Sequence, residues 1–189
     1  MKNISVIGFI TLQLLAITMK ASATDNIEIK HVSSTLTCGD ATLTAKTTFL
    51  YNKDASDDQV LTQSLLWESV KTNDRKEIKT DGKYVIKHMP EARKVLDAAI
   101  GSLSCIKSNT GDYFFKIYYY CTFGEERGFC AQGRVEFIRY LGEDGTLLFK
   151  SPRHWKLKRD EEALYRNLGI LGGNRAESIK NIHPGESDN

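Results

Sequence analysis

Two stretches of this chain constrain its fold more than any others. One runs Ala41-Thr42-Leu43-Thr44-Ala45-Lys46-Thr47-Thr48-Phe49-Leu50-Tyr51, the other Tyr113-Phe114-Phe115-Lys116-Ile117-Tyr118-Tyr119-Tyr120-Cys121. Both are rich in residues that suit a pleated surface: Thr in the first, aromatics in the second. Turn signals precede them, Cys38-Gly39-Asp40 before the first and Asn109-Thr110-Gly111 before the second. Chains punctuated in this way build antiparallel sheets.

The remaining segments extend that pattern. An alternating stretch begins at Ile27, and Val60 to Val70 carries Leu61, Leu65 and Trp67 on one face if extended. Lys76 to Thr80, Tyr84 to Ile86 and Ser102 to Ser108 read as shorter strands. Phe129 to Leu141 places Val135, Phe137 and Arg139 on one face and Glu136, Ile138 and Tyr140 on the other. Glu143-Asp144-Gly145 then turns the chain into Thr146 to Lys150. Each half has a cysteine, a turn, a long strand and a later Asp-containing turn, so Cys38 corresponds to Cys105 and Asp74 to Asp144. The expected fold is mainly β (α+β), with two antiparallel four-stranded meanders as a quasi-repeat. The sheets would face each other as a sandwich or sit side by side like propeller blades.

Two helices are expected beside the strands. Pro90 suits a first helical position, and Ala92, Val95, Leu96, Ala99 and Ile100 fall at helical spacing before Gly101. This amphipathic helix would join the meanders. A short C-terminal helix is expected from Asp160 to Ile170, with acids in its first turn. From residue 171 to 189 the polar composition predicts a flexible tail. Residues 24–170 would form one β-rich domain.

Met1-Lys2-Asn3, an apolar run from Ile4 to Met19, and Ala21-Ser22-Ala23 have the three-part layout of a cleavable signal peptide over residues 1–23. The run is shorter than the roughly 20 apolar residues that span a bilayer. Lys20 is atypical so late in such a segment, which leaves an uncleaved anchor as the alternative. The expected location is periplasmic or secreted, with no transmembrane segment after cleavage. Removing 23 of 189 residues leaves 166, the size of one domain. Lys2 and Lys20 leave with them, which takes Lys plus Arg from 26 to 24 against 24 acids. A mature chain of zero formal charge lacks the basic surplus that general nucleic-acid binding needs, so no nucleic-acid partner is expected.

Cys38, Cys105, Cys121 and Cys130 all lie after the leader, and an even count in an oxidising compartment predicts two disulfides. Three pairings are open. Cys121–Cys130 and Cys38–Cys105 are favoured, the first because it flanks a short turn, the second because it closes a long loop and restrains the unfolded chain most. No C-x-x-C and no His at ligand spacing supports a metal site, and no cofactor is expected.

Catalytic signals are sparse. There is no G-x-S-x-G elbow, no H-E-x-x-H and no phosphate loop after a strand. His31, His88, His154 and His183 have no partner the sequence identifies, and a structural or solvated role is the simpler reading. Glu125-Glu126 and Asp160-Glu161-Glu162 could be paired carboxylates for glycoside chemistry, but read more simply as turn and helix-start acids. No catalytic residue is assigned.

Two features could bind a partner. Tyr118, Tyr119 and Tyr120 put rings on both faces of one strand, so at least one points away from the core; Tyr118 and Tyr120 are the candidates. The plainer reading has both faces covered. The segment Lys150 to Arg159 interleaves Arg153, Trp155 and Lys156 and could meet an anionic surface, or be a linker pinned by Trp155. The loop Gly124 to Gly128, with Glu125, Glu126 and Arg127, is a candidate contact loop.

The stretch Cys105 to Phe114, continuing to Tyr119-Tyr120, Cys130 and Asp144-Gly145-Thr146-Leu147, resembles small exported bacterial proteins of unknown function. The resemblance covers about residues 105–147 and implies no activity or site. The leading expectation is an exported, disulfide-stapled protein that engages another protein, as an inhibitor or an immunity protein does. The alternatives are a small cell-envelope hydrolase, in which a histidine would meet a carboxylate in a cleft, and an envelope structural or glycan- or lipid-binding protein.

Overall fold

The computed structural model describes residues 27–53, 59–87, 92–122, 130, 136–150, 157–170 and 176–185 (backbone only for 157–161). The first sheet is a meander of β1 (Ile27–Cys38), β2 (Ala41–Asn52), β3 (Gln59–Ser69) and β4 (Arg75–Ile78), in that order. The chain then forms a two-stranded hairpin, β5 (Tyr84–Lys87) with β6 (Arg93–Leu96). The second sheet holds β7 (Ala98–Lys107), β8 (Tyr113–Cys121), β9 (Glu136–Gly142) and β10 (Leu147–Lys150) as a second meander, with β11 (Ala176–Asn181) added beside β7. All pairings are antiparallel.

The expected mainly β architecture with two four-stranded meanders is what the chain adopts. Alternation explains the packing. In β1, Ser34, Leu36 and Cys38 are buried while Ser33, Thr35 and Thr37 are exposed. The register carries that face to Leu43 and Ala45 of β2, then to Leu65 and Trp67 of β3. Those residues meet Leu103, Phe115, Ile117, Tyr119, Phe137 and Leu141 of the second sheet in one core. The two sheets therefore pack face to face. Each fully buried large side chain there contributes roughly 1.5–3 kcal/mol.

Two disulfides fix this arrangement, in the pairing the sequence favours. Cys38–Cys105 joins β1 to β7 across the sheets, and Cys121–Cys130 closes a short loop at the end of β8. At the opposite end of β8, turns of the two sheets interlock. Trp67 Nε1 donates to Glu143 O at 2.9 Å, the Asp40 N–H donates to the Glu143 carboxylate, and Lys76 Nζ donates to Asp144 O at 2.5 Å. The amide and hydroxyl of Thr146 bond the Asp144 carboxylate and lower its pKa.

Two expectations need correction. The helix from Pro90 to Ile100 does not form: residues 93–96 are β6 and 98–107 begin β7. Val95, Leu96, Ala98, Ala99 and Ile100 are all buried, so this near-continuous apolar run serves a strand covered on both faces. Such a run carries no periodicity that separates helix from strand. Asp97 switches the chain between sheets: its carboxylate accepts the Lys83 N–H at 2.7 Å, and its carbonyl accepts the Thr122 N–H at 2.8 Å. Pro90 itself lies outside the described residues. The second correction concerns the tail, where residues 176–181 form β11. Ile182 beyond it is buried, and its amide donates to Gly101 O at 2.9 Å.

The C-terminal helix does form, as α1 (Leu157–Asn167), three residues earlier than expected at each end. Gly169, at φ 68°, ends it. The Gly169 amide donates to Arg166 O and the Ile170 amide to Tyr165 O, a Schellman cap that needs the left-handed residue between. Leu164, Tyr165 and Ile170 pack with Ile106, Ile138 and Tyr140 on the outer face of the second sheet, forming a smaller core.

Candidate functional site on the outer face of the second sheet

β8 divides its side chains by parity. Phe115, Ile117 and Tyr119 are fully buried toward the first sheet. Phe114, Lys116, Tyr118 and Tyr120 alternate with them along the strand; Phe114 and Tyr118 pack on the smaller core, and Tyr120 also packs against the edge of the main one. α1 meets part of this outer row. Tyr140 Oη donates to Tyr165 Oη at 2.7 Å, and Lys116 Nζ donates to the same Tyr165 oxygen at 3.3 Å. Tyr118 and Tyr120 stay half-buried.

A β-bulge makes the floor under those two rings. The register of β7 against β8 shifts between Ile100 and Ser102, leaving Gly101 as the extra residue. A Cβ at Gly101 would stand 2.9 Å from Tyr120 Cδ1 and 3.3 Å from Tyr118 Cδ1. The rings therefore lie directly on glycine backbone, and a larger residue would lift them. The bulge is held from both sides. Gln63 of the first sheet accepts the Ile100 N–H at 2.6 Å and donates to Ile100 O at 3.1 Å. The amide of Ile182 takes the Gly101 carbonyl from the sheet edge.

Glu136 completes the site. It faces Tyr120 across the ladder, and Tyr118 Oη donates to its Oε2 at 2.8 Å. Burial, then the hydrogen bond to Glu136 and its negative charge, push the Tyr118 phenol up to about 12. At neutral pH Tyr118 is therefore an uncharged donor with a fixed direction. The site offers two aromatic faces, a carboxylate and a rigid backbone floor, a set suited to contact rather than to proton transfer.

Directly beneath, Tyr119 points into the core and stacks on Phe137 with ring centroids 4.6 Å apart. Its hydroxyl accepts from Arg139 Nη1 at 3.4 Å. Arg139 Nε lies 3.1 Å from Asp81 Oδ2, too poorly aligned for a hydrogen bond, and its Nη1 donates to Lys79 O at 2.6 Å. Lys150 Nζ bonds the other Asp81 oxygen at 2.5 Å. This buried charge cluster ties the β4–β5 connection to β9 and β10.

The structure thus brings Tyr118 and Tyr120 together. Glu125, Glu126, Arg127, Arg153, Trp155 and Lys156 lie outside the described residues, as do His88 and His154. His31 is on the outer face of the first sheet, with Nδ1 bonded to Thr48 Oγ1 at 3.1 Å. His183 Nδ1 accepts the Gly185 amide at 3.0 Å. These bonds are to a hydroxyl and a backbone amide, not to a carboxylate. Among the described residues no group of three His, Cys, Asp or Glu side chains could hold a metal ion, and no helix is long and apolar enough to cross a membrane. Sequence reasoning missed Glu136, Gly101 and Gln63. Glu136 had a signal, as the one acid in an otherwise aromatic and aliphatic outer row. Gly101 read as a helix stop, and the reach of Gln63 across the sheets left no local trace. No family model, curated protein or solved structure matches the chain.

Proposed function

We propose that the chain is an exported protein that engages another protein, in the manner of an inhibitor or an immunity protein, through the outer face of its second sheet. The observation that carries this reading is the placement of Tyr118 and Tyr120 side by side on the Gly101 bulge, next to Glu136. Tyrosine rings give large contact area at low entropic cost, and interface hot spots are enriched in them. A floor fixed by Gln63 and Ile182 means little ordering is left to do on binding. The leader-like N-terminus and two disulfides fit an oxidising compartment, the periplasm or the medium.

The test is capture from periplasmic and culture-supernatant extracts, with the chain from Thr24 as bait and mass spectrometry as readout. One stoichiometric protein is expected, bound by the parent chain and lost by the Tyr118→Ala, Tyr120→Ala double variant. Both baits must unfold cooperatively with their disulfides intact. A partner held equally by both baits, or no protein partner at all, contradicts the proposal.

A further inference from the structure

The outer face of the first sheet holds a pocket of about 330 Å³, within the range of sites that take small molecules. Strand register builds it. Ser33, Lys46 and Ser64 form one row across β1, β2 and β3, and His31, Thr48 and Thr62 form the next. Neighbouring strands lie about 4.8 Å apart and same-face residues about 6.8 Å apart, so the two rows span about 10 Å by 7 Å. Thr48 is half-buried and the other five residues are exposed. The floor is fixed from below. Gln63 Nε2 donates to Thr47 Oγ1 at 2.8 Å, and Gln63 also bonds both backbone groups of Ile100 in the second sheet.

The lining chemistry is one-sided. Lys46 brings an ammonium that has no ion partner among the described residues. No described carboxylate lines the pocket, and Glu28 and Glu68 elsewhere on this sheet are held by Lys53 and Arg75. Asp54, Asp57 and Asp58 lie outside the described residues. His31 Nδ1 bonds Thr48 Oγ1 at 3.1 Å, which orients the ring, and its Nε2 has no partner among the described residues. The hydroxyls of Ser33, Thr62 and Ser64 are likewise without one. Each hydroxyl can donate or accept, which matches the hydroxyls of a sugar. One ammonium matches one negative charge.

We propose that this pocket binds an acidic sugar unit with a single carboxylate. Lys46 would hold the carboxylate, and the flanking Ser33 and Ser64, with the His31–Thr48–Thr62 row, would bond the ring hydroxyls. This goes beyond the partner-binding reading and is independent of it, because Tyr118 and Tyr120 lie on the other sheet.

The probe is D-glucuronate, titrated into the oxidised chain from Thr24 and followed by amide NMR. Saturable shifts are expected at residues 31–33, 46–48 and 62–64, with D-glucose binding more weakly. Lys46→Gln should weaken glucuronate about tenfold, the effect of losing one charge-assisted hydrogen bond, and leave glucose unchanged. Ser33→Ala with Ser64→Ala should weaken both sugars. Tyr118→Ala with Tyr120→Ala should change neither. Methyl glucuronide tests the source of the unit: binding equal to that of the free acid supports a residue within a glycan, and preference for the free acid supports a free sugar. Absence of binding, equal affinity for glucose, or shifts centred elsewhere would overturn the proposal. So would glucuronate binding that survives Lys46→Gln intact, or inorganic phosphate binding more tightly than glucuronate, which would make the pocket a bare oxyanion site.

Discussion

A guanidinium shut between two sheets must find its charge partners inside the protein. Arg139 finds Asp81, which also holds Lys150. Removing the carboxylate takes the counter-charge from the buried Arg139, and breaking a buried pair in that way costs about 3–5 kcal/mol. Asp81→Ala should lower the urea midpoint accordingly, and Asp81→Ala with Arg139→Met should recover part of the loss. Tyr119 gives a second prediction at this scale. Burial first, opposed by Arg139, pushes its phenol from the ordinary 10.0 to about 12. The folded state then holds the proton more tightly than the unfolded chain, so this contribution is intact below pH 10 and disappears as pH rises through 12. Two pKa units correspond to about 3 kcal/mol. Urea titrations at rising alkaline pH should show stability falling over that window, with a shallower fall in Tyr119→Phe. The alternation of β9 already placed Arg139 beside Phe137 on one face. Its partner was illegible, because Asp81 arrives from a turn distant in the chain, and pairing across sheets leaves no periodic trace.

At the scale of elements, strands were legible wherever one face is wet. β1 alternates buried and exposed residues from Ser33 to Cys38, and its faces follow from the sequence. Where both faces are covered, alternation vanishes. That is why Val95 to Ile100 imitates a helix, although Asp97 within it switches the chain between sheets. The final strand was missed for the opposite reason. β11 reads Ala-Glu-Ser-Ile-Lys-Asn, and its burial pattern shows no buried residue, so composition alone suggested a tail. It is held by pairing with β7 and by Ile182, whose side chain is buried among the core residues. Deleting residues 176–189 should therefore cost at least the roughly 1.5–3 kcal/mol of burying Ile182. It should also bare the β7 edge and promote association. Urea unfolding and light scattering on the shortened chain check both. A deletion with unchanged midpoint would mean that β11 does not support the sheet.

The whole molecule combines two disulfides and two meanders whose corresponding cysteines bond to each other. Its outer aromatic pair, Tyr118 and Tyr120, sits on a bulge clamped from both sheets. Such a body is suited to presenting a fixed surface. The most direct measurement of its central claim is photocrosslinking in the producing cell, with a photoreactive phenylalanine analogue at Tyr118, at Tyr120, or at Thr35 on the outer face of the first sheet. The account predicts one discrete protein adduct from positions 118 and 120 and none from 35. Adducts of equal yield from all three positions, or none from 118 and 120, would contradict it.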